Sequence, residues 1–400
     1  MRGNHLARVT LLALLVLAAL LVACSLMRGP ATQTLALVNG TLIDGTGADP
    51  LPDAALVIRE GRILAVGARA TVAIPKRTKV IDLRGATILP GFFNAHVHQA
   101  YDLEHLAGWA REGVTTVRDL GGWPPKEVFA FRDKAGKNPK YARIAAAGPF
   151  ITAPGGYPIA VFGGHALTAA SPDEARQVAN HLLDQGADII KIGLESGAIF
   201  GRGALPMLSL EEAKAIVDVA HERGTRVAAH VTVSKDLELA INAGVDDIAH
   251  MVTDPVPDEL VWRMVAEGLY WEPTLELWKG VGQGQDRFVI ENLRRYVEAG
   301  GQVALGTDYA GYTTPFQLGM PIKEMEWMQE AGMSPMQVII AGTKNAAHVC
   351  NMDDDLGTLE VGKIADILVV DGDPLQDIHA LSKVRWVVHN GVVIRGEGAE

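Results

Sequence analysis

Four hundred residues exceed a typical single domain, so one large domain plus a smaller one is expected. A chain that is 48% hydrophobic and 21% charged, with no low-complexity tract, has the composition of a folded globular protein and not of a disordered one. The net charge of −11, from 36 basic and 47 acidic residues, argues against a nucleic-acid partner, which demands a basic face.

At the start of the chain, Arg2 and Arg8 lead into an apolar run over residues 9–23. The run falls short of the about 20 residues of a transmembrane helix. Its basic start and small-residue end fit a secretory signal peptide over residues 1–23. The ending Leu21-Val22-Ala23-Cys24 resembles the lipobox of bacterial lipoproteins. That resemblance implies cleavage before Cys24, acylation of its thiol, and a lipid-anchored position on the periplasmic side of the bacterial cell envelope. Residues 24–34 then read as a flexible tether. Cys350 reads as a buried hydrophobe, and no disulfide framework is readable from two cysteines.

Residues 35–84 read as short strands broken by turns. An apolar stretch over 35–38 leads to a hairpin turn at Asn39-Gly40, and another over 55–59 leads to Glu60-Gly61; strands at 63–66 and 79–82 follow. The end of the chain repeats this style, with strands at 367–370, 384–389 and 392–394 around Asn390-Gly391. The two β-rich ends, 35–84 and 353–400, are expected to form one small β-sandwich domain.

Over residues 85–352 apolar strands alternate with amphipathic helices. Ser171 caps a helix whose apolar face carries Ala175, Val178, Ala179 and Leu182, and Glu174 completes a capping box. Ser209 and Glu212 repeat the pattern, and Ser234 opens a third round. Eight strands are predicted, ending near His98, Asp119, Ala147, Ile192, His230, His250, Pro273 and Asp308. Eight such strands alternating with helices imply α/β architecture closed as a (β/α)8 TIM barrel.

The chemistry gathers at the C-terminal strand ends, the catalytic face of such barrels. His96 and His98, two apart in a strand, point to one side and can chelate a divalent ion. Lys191 stands among apolar neighbours, so burial should lower its pKa. A neutral lysine there can add carbon dioxide and bridge two cations as a carbamate, or reach the rim and pair with Glu195. His230, His250 and Asp308 end the fifth, sixth and eighth strands, and Asp308 can bind metal while accepting a proton from water. Arg118 and Asp119 read as a structural pair.

The order His-x-His, Lys, His, His, Asp resembles the amidohydrolase superfamily. Flanking motifs agree, among them Val38-Asn39-Gly40, Gly61-Arg62-Ile63, Pro90-Gly91-Phe92, Gly113 to Asp119, and Gly362-Lys363-Ile364-Ala365-Asp366. The resemblance covers about residues 35–395 and is closest to the imidazolonepropionase-like and Xaa-Pro dipeptidase-like branch. It implies two zinc ions, one on His96, His98 and Asp308 and the other on His230 and His250, bridged by carboxylated Lys191. It also implies that activated water attacks a substrate carbonyl, with Asp308 carrying the proton and the metal at His230 and His250 polarising the carbonyl.

Substrate choice belongs to the loops. Tyr157 and His165 in a glycine-rich loop, and Tyr309 and Tyr312 after Asp308, are candidate substrate contacts. Val231-Thr232-Val233 after His230 departs from the dipeptidase pattern. The expected reaction is hydrolysis of an amide or peptide-like bond in a small molecule, such as an Xaa-Pro dipeptide or an N-acyl amino acid. A lactone, cyclic imide (imidazolone) or phosphotriester hydrolase on the same centre, and a non-catalytic envelope lipoprotein, are the alternatives. The expected partners are a small-molecule substrate and the membrane, with homo-oligomerisation left open.

Overall fold

A computed structural model describes residues 34–121, 125–163, 165–201, 203–281, 286–310 and 318–397. The expected signal peptide, Cys24 and all but the last residue of the tether lie outside the described residues, as does Tyr312. Among the described residues no helix is long and apolar enough to cross a membrane.

The two chain ends build one eight-stranded sheet. Leu35–Leu42, Leu51–Arg59, Arg62–Ala68, Lys79–Asp82 and Thr87–Pro90 come from the first end; Ile367–Val370, Val384–His389 and Val392–Arg395 come from the second. They join where Ile367–Val370 runs antiparallel to Thr87–Pro90, with Leu368 opposite Leu89. Glu60-Gly61 and Asn390-Gly391 are tight hairpin turns, and both residues of each have positive φ, as such turns require. Asn39-Gly40, expected as a turn, lies instead inside the strand Leu35–Leu42. The register against Leu51–Arg59 slips there, between Val38 and Gly40. Asn39 takes a φ of 60° and donates its side-chain amide to Asp82 Oδ1 at 3.0 Å. An asparagine tolerates the left-handed region in a bulge as well as in a turn, so the pairing of the flanking strands decides which forms.

Parallel strands stand at all eight expected places: Phe92–Val97, Val114–Asp119, Arg143–Ala146, Ile190–Gly193, Val227–His230, Asp247–Ala249, Tyr270–Glu272 and Gln302–Val303. The eighth stops at Val303, and Asp308 follows it in irregular chain rather than ending the strand. The eight strands are divided between two sheets. The first three form one; the other five share a seven-stranded sheet with Phe150–Thr152 and Ala166–Thr168, two short strands within the glycine-rich stretch read as loop. Backbone hydrogen bonds cross both seams between the sheets. Asp188 N–H donates to Ala146 O at 3.0 Å, and on the other side Ala95 N–H donates to Leu305 O at 2.8 Å.

The helices pack outside these strands, over a core that includes Val117, Ile144, Ile190, Ile192 and Ile216. The Ser209 capping box closes as expected on the helix Leu210–Glu222. Ser171 caps Pro172–Asp184, but Glu174 turns back to Ala170 N–H. Ser234 does not cap: Val233 precedes the helix, and the Ser234 hydroxyl donates to Asp254 Oδ2 at 2.6 Å. Cys350 is fully buried, and burial pushes its thiol up to about 12.

Candidate metal centre

The centre begins where the strand Phe92–Val97 meets the segment that carries Asp308. Asn94, buried one position before Ala95, clamps the two. Its amide donates to Thr307 Oγ1 at 2.8 Å and its carbonyl accepts from Thr307 N–H at 3.2 Å. Asp308 N–H donates to His96 O at 2.9 Å. Gly306 makes this approach feasible, because a Cβ there would stand 2.7 Å from His96 Cβ. Asp308 itself is held at a φ of 64°, and His250 at 75°. Backbone strain of this kind costs about 1–3 kcal/mol per residue and clusters at functional sites.

These constraints aim Asp308 Oδ1 at both histidines of the first strand, 3.3 Å from His96 Nε2 and 3.0 Å from His98 Nε2. The donor atoms of His96, His98 and Asp308 all fall within 4.8 Å of one another, a spacing that one metal ion can span. The imidazoles continue as a row. His96 lies 5.2 Å from His98 and 4.7 Å from His250, which lies 4.7 Å from His230, measured between ring centroids. Thr274 Oγ1 bonds His250 Nδ1 at 3.0 Å, leaving Nε2 as the free donor. His96 is fully buried, whereas 24% of the His98 side chain and 16% of Asp308 reach solvent, so the open side of the centre lies there.

Lys191 is fully buried between these groups and does not pair with Glu195. Its Nζ makes no hydrogen bond and lies 5.7 Å from the Phe150 ring centroid. Burial brings its pKa down to about 7. Burial, and then the charge of Lys191, hold His96 and His230 well below the ordinary histidine value; burial does the same for His250. For Asp308 burial acts upward, but the hydrogen bond and charge of His98 outweigh it and keep the carboxyl below its usual range. On His98 burial acts downward, but the hydrogen bond and charge of Asp308 outweigh it and raise its pKa. The arrangement therefore offers neutral imidazoles at His96, His230 and His250, an ionised carboxylate at Asp308 and an amine that loses its proton near neutrality.

Residues 87–397 match the amidohydrolase family, well over half of the chain. The chain belongs to the amidohydrolase family. This amidohydrolase is 28% identical to the ochratoxinase of Aspergillus niger, over 90% of this chain and 86% of that protein. It is 26% identical to the imidazolonepropionase of Symbiobacterium thermophilum, over 80% of this chain and 84% of that one. Among solved structures it is similar to a Xaa-Pro dipeptidase with bound methionine in the active site, at 26% identity and a TM-score of 0.78, covering 91% of this chain and 100% of that one. The likeness to imidazolonepropionases and Xaa-Pro dipeptidases expected from the motifs is borne out, and the chain is a hydrolase.

Other residues of this amidohydrolase fall differently from the sequence reading. Arg118 and Asp119 do not pair with each other, because neighbours in a strand face opposite sides. Arg118 is fully buried and binds Asp247 through both Nη atoms, at 3.0 and 3.1 Å, and also meets Glu272. Asp119 instead accepts from the backbone N–H groups of Ala100 and Gly121. Glu272, missed in the sequence, ends the strand Tyr270–Glu272 with Oε2 3.4 Å from His96 Nδ1. Glu195 lies 3.5 Å from His230 Nε2 and accepts from Gly197 N–H and the Thr232 hydroxyl.

Among the candidate substrate contacts, Tyr157 stacks directly on His230, with ring centroids 4.0 Å apart and planes 16° apart. His165 is exposed, with no hydrogen bond or ring contact to the histidines among the described residues. Tyr309 is buried against Trp109 and His105 of the helix Leu103–Arg111, and its carbonyl accepts from His98 N–H at 2.7 Å. Its ring thus supports the strand that carries the ligands from the outside.

Proposed function

We propose that this chain is a metal-dependent hydrolase that cleaves an amide-type carbon–nitrogen bond in a small substrate, with Xaa-Pro dipeptides and N-acyl amino acids as the first substrates to test. The convergence of His96, His98 and Asp308 carries this reading. The residues fit a metal on a second ground. Both ring nitrogens of His96 and of His230, and Lys191 Nζ, are buried without a hydrogen bond. Each such orphan costs about 1–3 kcal/mol unless something satisfies it, and a divalent cation would satisfy one nitrogen of each imidazole. We assign one ion to His96, His98 and Asp308, a second to His230 and His250, and zinc as the metal for this mix of imidazole and carboxylate donors. Lys191 would supply a further oxygen ligand as a carbamate, formed when its neutral amine attacks carbon dioxide, makes an N–C bond as one C=O π bond becomes C–O⁻, and releases one proton.

Bound ions supply an acidified water and a Lewis acid for the carbonyl oxygen. The chain's own residues do the rest. Asp308, kept ionised and partly open to solvent, takes the proton of the attacking water and returns it to the leaving nitrogen. Similarity to an imidazolonepropionase and a Xaa-Pro dipeptidase supports a carbon–nitrogen bond as the target. A lipid anchor at Cys24 and a place in the cell envelope belong to the same proposal, supported by the Leu21-Val22-Ala23-Cys24 ending.

The test is hydrolysis of dipeptide and N-acyl amino acid panels before and after chelation. Turnover should vanish with chelator and return with zinc, and Asp308→Asn should lower kcat by about 10²- to 10⁴-fold. Chelator-insensitive turnover, or no turnover of any carbon–nitrogen substrate, contradicts the reading.

A further inference from the structure

An aromatic surface leads away from the centre toward solvent. It starts at Phe150, whose ring is buried and stacked toward His98, with centroids 6.4 Å apart and planes at 16°. Tyr157 meets Phe150 edge-on at 5.9 Å and lies flat against His230 at 4.0 Å. Beyond Tyr157 the surface divides. Phe200 stacks with it at 5.9 Å, Phe162 approaches it edge-on at 6.0 Å, and the two phenylalanines meet each other at 6.0 Å. Exposure rises along the path: Phe150 is buried, Tyr157 and Phe200 are half-buried, and Phe162 is 68% exposed.

The local chain holds Phe162 in this position. It ends the four-residue helix Ile159–Phe162, which Gly163 terminates at a φ of 68°. Phe200 ends the short turn Ala198–Phe200, between Gly197 and Gly201, both in the left-handed region. Two separate loops therefore each bring a phenylalanine to the same tyrosine. If the rings served only to fasten the loops, burying Phe162 would be more favourable than leaving most of it in water. An exposed aromatic face beside a reaction centre is suited instead to a ligand's apolar group, since ring pairs gain from edge-on and offset stacking beyond the area they bury.

We propose that Tyr157, Phe162 and Phe200 form a substrate subsite for an aromatic side chain, placed on the His230 side of the cleaved bond. This rests on the hydrolase reading above and adds the class of substrate: amide-linked amino acids whose side chain is a benzyl-sized ring. Tyr157 forms the floor against His230, and the two phenylalanines form the outer wall. Leucine fills the same space without ring–ring contacts, and alanine leaves it open to water.

Two measurements test the subsite. The first compares kcat/KM for N-acetyl and dipeptide substrates that differ only in carrying phenylalanine, leucine or alanine. The second titrates L-phenylalanine and L-alanine, as products, into the metal-loaded protein by calorimetry. Phenylalanine should be preferred to alanine about tenfold or more in both. Phe162→Ala and Phe200→Ala should each lower that ratio about fivefold, with unchanged melting temperature for the exposed Phe162. Trp262→Ala, 65% exposed on the helix Asp258–Ala266, should leave the ratio as in the wild type. Hydrolysis with no aromatic preference, or a preference unmoved by both phenylalanine variants, overturns the subsite and leaves the hydrolase standing. Selective phenylalanine binding that Phe162→Ala abolishes, with no substrate turned over, upholds the subsite and overturns the hydrolase. Neither hydrolysis nor selective binding overturns both.

Discussion

At His96 the two ring nitrogens face different carboxylates. Nε2 lies toward Asp308 and Nδ1 toward Glu272, at 3.3 and 3.4 Å. A carboxylate on the far nitrogen fixes the tautomer of a metal-binding imidazole, and losing it typically weakens metal binding about 10- to 100-fold. Glu272→Gln should therefore weaken metal binding by that factor, read by competition with a metal indicator. Unchanged affinity would mean that Glu272 serves only Arg118. The two ends of this arrangement differ in how far the sequence reveals them. His96, His98 and Asp308 are readable because side chains alternate along a strand and the apolar runs end where they stand. Glu272 is not, because its partners Arg118 and His96 are more than 150 residues away and a three-residue strand has no pattern of its own. The Arg118–Asp247 pair is hidden for the same reason.

At the scale of elements, His250 depends on a helix it does not belong to. Its partner Thr274 sits at a φ of 46°, a costly conformation for a β-branched residue, immediately before the helix Leu275–Val281. Glu324, fully buried on the neighbouring helix Ile322–Glu330, accepts Leu275 N–H at 2.8 Å and Glu276 N–H at 2.6 Å. A side chain from another helix thus supplies the cap that the local sequence lacks. Glu324→Ala strands both donors and should lower stability by about 2–3 kcal/mol, read from the urea midpoint. An unchanged midpoint would show that water replaces the Glu324 carboxyl group, whose pKa burial pushes up to about 8. Caps written locally, such as Ser209 with Glu212, are legible in the sequence; a cap delivered from 48 or 49 residues away is not. Asn39-Gly40 teaches the same lesson for strands, since its signal specifies the backbone region and leaves turn or bulge to the pairing.

Across the whole molecule, the sheet made from both chain ends is fastened to the strands of the centre by Arg143. Its guanidinium binds Asp366 Oδ2 at 2.9 Å and Asn390 Oδ1 at 2.6 Å, and Asn390 N–H donates to Asp366 Oδ1 at 2.7 Å. Burial acts to raise the Asp366 pKa, but the charges of Arg143 and His389 together with the hydrogen bonds from Asn390 N–H and Arg143 outweigh it, and the net shift is downward. Burial lowers the pKa of His389 beside it, so Arg143 is the larger counter-charge. A depressed carboxylate pKa contributes stability above the unfolded value of about 3.9, and that stability is lost as pH falls through the lower folded value. Asp366→Asn should cost about 3 kcal/mol at pH 7 and reduce the loss of stability below about pH 4, compared by urea unfolding at both pH values. The same cost at both would place the effect in packing rather than charge. The pairing of the two ends is foreshadowed by their shared style of short strands and tight turns, whereas the division of the parallel strands into two sheets depends on backbone geometry at the seams. The metal content of the purified chain decides whether the histidines, Lys191 and Asp308 hold two ions. Two equivalents of divalent metal are expected per wild-type chain, and fewer in both His96→Ala and Lys191→Ala; a wild type with one equivalent or none, or wild-type metal content retained in either variant, would contradict the two-ion assignment.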